Sequence, residues 1–100
     1  MDTKLQMAAA KRAKELKTLF SHTRPDGSVC FTALDKYNIS YIVAGENIAM
    51  GQTTPKEVMN SWMNSAGHKA NILSGNFTKI GIGCYQYNGR LYWVQLFIGN

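Results

Sequence analysis

A chain of 100 residues, 45% apolar and 11% aromatic, has enough hydrophobic surface for one core and too little for two. No run approaches the roughly 20 apolar residues that a membrane-spanning helix needs, and the amino end lacks a signal-peptide core, so an exported form would carry its signal outside these residues. The net charge of +5 comes largely from Lys4, Lys11, Arg12, Lys14 and Lys17. No aromatic residues interleave with these bases as a nucleic-acid groove requires, so they read as a solvated helix face, with attraction to an anionic envelope polymer as the alternative.

Leu5, Ala9, Ala13, Leu16 and Phe20 recur at three- and four-residue steps, which predicts an amphipathic helix from Asp2 to Phe20. Pro25, Asp26 and Gly27 then form a turn cluster that stops the helix and holds His22 at its exit. A short helix is expected over Phe31 to Tyr37, and Tyr41-Ile42-Val43 reads as a strand that Gly45 breaks just before Glu46. In Thr54-Pro55-Lys56-Glu57 the Thr caps, the Pro fits the first helical position and the Glu closes a capping box. That helix runs through Trp62, buries Val58, Met59, Trp62 and Met63, and meets a natural terminator at Gly67.

After Asn71-Ile72-Leu73, the runs Lys79 to Tyr85 and Arg90 to Ile98 flank Asn88-Gly89, a strong hairpin signal. The second run is apolar at nearly every position, so both of its faces must be covered. The expected architecture is therefore α+β: a three-layer α-β-α sandwich around a mainly antiparallel central sheet. Gly81 and Gly83 should allow close approach to that sheet. Cys30 and Cys84 are the only cysteines, in no CxxC arrangement; they are either two small buried hydrophobes or one disulfide between a loop and a strand.

The sequence lacks a nucleophile elbow, a P-loop, an HExxH pair and the Rossmann glycines. What remains is His22 and His68, each beside turn-forming residues, with Glu46 between them in a Gly-Glu-Asn turn. Each has a plain structural explanation: a hydrogen-bonded surface histidine, or a carboxylate that accepts N–H bonds from its own loop. Glu57 belongs to its helix cap and stays outside the site.

Four blocks change that balance: Ser21 to Gly27, Gly45-Glu46-Asn47-Ile48-Ala49, Trp62 to Leu73, and Phe77 to Gly83. In this order, and over most of the chain beyond residue 20, they are similar to the bacterial branch of the CAP (SCP-like) superfamily. The resemblance implies a single secreted or cell-envelope domain over residues 1–100, in which His22, Glu46 and His68 meet at the floor of a cleft. It also implies that His22 and His68 can hold a divalent cation such as zinc, a role that suits two neutral imidazoles. Ser65 stands where the plant and animal branches carry a Glu, so the cleft keeps one carboxylate.

Two functions follow from the resemblance. One is a binding module in which His22, Glu46, Ser65 and His68 meet an extracellular ligand, whether peptide, glycan or lipid. The other is a metal-dependent hydrolase, a peptidase, with Glu46 as the catalytic base. Family members usually carry a further helix before the first one here; without it an apolar patch would be open, which predicts a homodimer.

Overall fold

The computed structural model describes residues 2–100. The first helix, α1 (Thr3–Leu16), starts where the Asp2 carboxylate accepts a hydrogen bond from the Leu5 N–H at 2.9 Å. It buries Leu5, Ala8, Ala9, Arg12, Ala13 and Leu16, and ends four residues before Phe20, which is exposed. Arg12 corrects the expectation of a solvated basic face: its position falls on the buried stripe, one turn from Ala8, Ala9 and Leu16. A short helix, α2 (Thr32–Lys36), follows the loop that carries His22.

Three strands form one antiparallel sheet in the order β1 (Val43–Met50), β3 (Arg90–Gly99), β2 (Lys79–Tyr87). The central strand alternates its two faces. Tyr92, Val94, Leu96 and Ile98 pack with the buried residues of α1, whereas Trp93 packs with Val58 and Trp62 of α3 (Pro55–Met63). The continuous apolar run is thus explained, and the three-layer arrangement holds. Asn88 and Gly89 take positive φ values of 50° and 76°, as a tight hairpin turn requires.

Three local expectations are corrected. Gly45 does not break a strand; β1 runs through Gly45, Glu46 and Asn47, because the buried polar side chains of Glu46 and Asn47 find partners on other elements. Gly67 does not end α3, which stops at Met63 when Ser65 turns extended; Gly67 lies inside a separate helix, α4 (Ala66–Leu73). Glu57 forms half of a capping box: its N–H reaches Thr54 Oγ1 at 3.1 Å, but its carboxylate accepts from Thr53, one residue too early.

Both cysteines are free thiols, so the disulfide reading fails, and the buried-hydrophobe reading holds for Cys30 but not for Cys84, which is exposed on β2. Cys30 is buried close to Glu46, on the α1 side of the sheet. Cys84 is opposite Trp93 in the register, on the other side, so the sheet separates the two sulfurs.

The α1 layer lies directly on β2. A Cβ added to Gly83 would lie 2.8 Å from the Ala10 nitrogen and closer still to the Ala9 carbonyl, and Gly81 meets Leu5 in the same way. Gly83→Ala is therefore expected to lower stability by roughly 1–3 kcal/mol in urea unfolding, through forced separation of helix and sheet. Gly75→Ala meets open space and should change it by less than about 0.5 kcal/mol.

Candidate functional site

Alternation along the edge strand β1 organises the site. Glu46 lies opposite Leu96 and faces α1; Asn47 lies opposite Gln95 and faces α4. On the α1 face, the fully buried Arg12 guanidinium grips the Glu46 carboxylate with Nε to Oε2 at 2.7 Å and Nη2 to Oε1 at 3.0 Å. Arg12 also donates to the Ser21 carbonyl at 2.8 Å and to Glu15 at 3.0 Å. Glu15 in turn accepts from Arg24 in the loop, at 2.7 Å for the shortest contact. A continuous ionic chain therefore ties α1 and the loop after it to β1.

Burial alone would pull the Arg12 guanidinium down, and the Glu46 and Glu15 carboxylates more than offset this and hold it above its ordinary value. The Glu15 carboxyl is held below its ordinary value because Arg24 and Arg12 outweigh its partial burial. His22 completes this half. Its Nδ1 lies 2.8 Å from Glu46 Oε1, and since the carboxylate is ion-paired, the ring nitrogen is the donor. The His22 side chain is 59% exposed, and its Nε2 makes no hydrogen bond among the described residues.

On the other face, Asn47 is buried and bridges three elements. Its amide nitrogen donates to the His68 carbonyl and to Gln95 Oε1, both at 3.1 Å, while its oxygen accepts from Asn71 at 2.9 Å. These bonds dock α4 on the strand. His68 stands in the first turn of α4, with Nδ1 2.8 Å from Ser65 Oγ, so the hydroxyl serves the imidazole and caps no backbone N–H. Gly45 is needed beneath this face, since a Cβ there would come within 2.8 Å of the Phe77 ring.

The structure thus joins His22 to Glu46 and Ser65 to His68, as two pairs on opposite faces of β1. Among the described residues, the ligand-type atoms that gather within 4.8 Å of one another belong to His22, Cys30 and Glu46; His68 is not part of that cluster. The trio does not suit a cation. Arg12 already neutralises Glu46, and burial followed by the adjacent Glu46 charge pushes the Cys30 thiol up to about 12, which keeps it protonated.

Sequence reasoning missed Arg12, Asn47, Asn71 and Gln95. The signal for Arg12 was present, because a basic residue on the apolar stripe of a helix implies a buried partner. Arg12→Met is expected to cost about 3 to 5 kcal/mol in chemical denaturation, since it leaves the Glu46 charge buried alone. The double variant Arg12→Met/Glu46→Met should recover a large part of that loss.

Comparison with known proteins places this geometry. The Cysteine-rich secretory protein (CAP) family profile matches residues 1–97. The uncharacterised protein YkwD of Bacillus subtilis is 45% identical over 101 residues, covering 99% of this chain and 38% of its own length. An extracellular protein from Bacillus anthracis that contains an SCP domain superposes with a TM-score of 0.90 at 30% identity, over 99% of this chain and 33% of that one. An outer surface protein of Borrelia burgdorferi gives 0.86 at 26% identity, over 99% of this chain and 75% of that one. The chain therefore spans little more than a third of the two Bacillus relatives. Its sequence and its fold agree that it belongs to the CAP family, the Cysteine-rich secretory protein family, as an SCP-like domain.

Proposed function

We propose that this CAP domain works outside the cytoplasm as a ligand-binding module, with its recognition site along the edge of β1 between the His22 loop and the start of α4. The observation that carries this reading is the Arg12–Glu46 pair. A general base must reach the proton it removes. The Glu46 side chain is fully buried, and both of its oxygens are held by Arg12. It serves as a positioning residue: it fixes the exposed His22 ring by Nδ1 and leaves Nε2 for a ligand.

The same logic favours imidazole over carboxylate for a divalent cation. Among the described residues, His22 and His68 each have Nδ1 engaged by an oxygen partner and Nε2 without one, the pattern in which an outer hydrogen bond orients a ligating ring. We assign any zinc-like ion to these two nitrogens, which would have to meet around the open edge of β1 because their pairs lie on its opposite faces, with Glu46 and Ser65 as their orienting partners. The extracellular setting is supported by relatives described as extracellular and as an outer surface protein. No helix among the described residues is long and apolar enough to cross a membrane. The ligand of such a site would be a peptide, glycan or lipid presented outside the cell. Hydrolysis by Glu46 would first require its release from Arg12, and no observation favours that.

Calorimetric titration of metal-free protein with zinc tests the reading, alongside incubation with a peptide library. Zinc should bind, His22→Ala and His68→Ala should each abolish binding, and Glu46→Gln should weaken it by about 10- to 100-fold through loss of the orienting bond. No peptide should be cleaved. Zinc-dependent cleavage that disappears in Glu46→Gln would overturn the binding-module reading in favour of a hydrolase.

A further inference from the structure

A second basic feature lies at the far end of the hairpin, where no part of the Glu46 site is used. Lys17 occupies the C-cap of α1, where the negative pole of the helix favours a cation. Its ammonium stands 4.5 Å above the centre of the Tyr87 ring and 5.7 Å from that of Tyr85. Arg90 pairs with Tyr87 across the hairpin. Together Lys17, Tyr87, Asn88, Arg90 and Tyr92 line an open cavity of about 260 Å³. No carboxylate lines it. Among the described residues, neither Lys17 nor Arg90 has an ion-pair partner, whereas Arg12, Arg24 and Lys79 all do.

We propose that this cavity binds one phosphate-bearing unit of a polyol or glycan phosphodiester chain. Two cations of different geometry, neither with a carboxylate partner among the described residues, line one concave surface, and the planar Arg90 fork is suited to a bidentate phosphate contact. Tyr87, Asn88 and Tyr92 add hydroxyl and amide groups that can hydrogen-bond the hydroxyls of such a unit. Both cations sit on regular structure, Lys17 on a capped helix and Arg90 at the start of a strand, so little ordering is needed on binding. A nucleic acid fits less well. Sequence-independent strand binding needs free aromatic faces for the bases, and here Lys17 lies over the Tyr87 ring. The chain's net charge of +5 draws polyanions towards it without discrimination; the cavity supplies the place where one is held.

The test is titration of the intact domain with a poly(glycerol phosphate) chain of defined length at low salt, read by calorimetry and by amide chemical shifts. The shifts should concentrate on Tyr87, Asn88 and Arg90. Lys17→Gln and Arg90→Gln should each raise Kd about tenfold or more, as expected for loss of one charge-assisted contact. Lys56→Gln removes the same charge from α3 and should change Kd less than about twofold if binding is local rather than set by net charge. Absence of binding, equal losses in all three variants, shifts confined elsewhere, or tighter binding of a single-stranded oligonucleotide with the same number of phosphates would overturn the proposal.

Discussion

Arg12 and Glu46 are both withdrawn from water, and neither is tolerable in that state without the other. The pair lies 34 residues apart in sequence and joins the first helix to the edge strand of the sheet. Its remaining hydrogen-bonding capacity is used with equal economy of partners: Arg12 extends to the Ser21 carbonyl and Glu15, and Glu46 extends to His22. Removal of either charge would therefore disturb helix, loop and strand at once. Such pairs do little for net stability, because desolvation cancels most of the attraction. What this one does is fix which way the loop leaves α1 and where the His22 ring stands.

The second constraint is the pleat of β1. Consecutive residues of a strand face opposite sides, so the Glu46-Asn47 dipeptide delivers a carboxylate to the α1 layer and an amide to the α4 layer. Asn47 then bonds to Asn71, Gln95 and the His68 carbonyl, which positions α4 as firmly as Arg12 positions the loop. Two imidazoles thus flank one strand edge, each anchored by a different residue of that dipeptide or its partner helix. The result is a strand edge flanked by two side chains whose orientation is set from behind by other groups of the fold.

Elements whose buried faces are apolar could be read from sequence: α1, α3 and the hairpin followed from periodicity and from Asn88-Gly89. β1 could not, because at its centre it buries the polar Glu46 and Asn47, whose partners lie 21 to 48 residues away. α4 left no trace either, since it buries no residue fully and shows no apolar stripe. The site divides along the same line. The Ser65–His68 pair is a local, three-residue spacing, and the place of His22 in the loop after the first helix was visible as turn chemistry, although the helix ends at Leu16, well before that turn. The Arg12 grip on Glu46, which decides what the carboxylate can do, is a tertiary fact that a solvated-helix reading conceals. Cys30 and Cys84 show the same limit: only the sheet between them decides that they do not pair.

The central claim is that an ion-paired Glu46 dictates the state of His22, and long-range nitrogen–proton NMR of the ring tests it most directly. At a pH where the imidazole is neutral, the account predicts a proton on Nδ1 and an unprotonated Nε2, with a return towards the ordinary Nε2–H form in Glu46→Gln. A ring that carries its proton on Nε2 in the unmodified protein would contradict it.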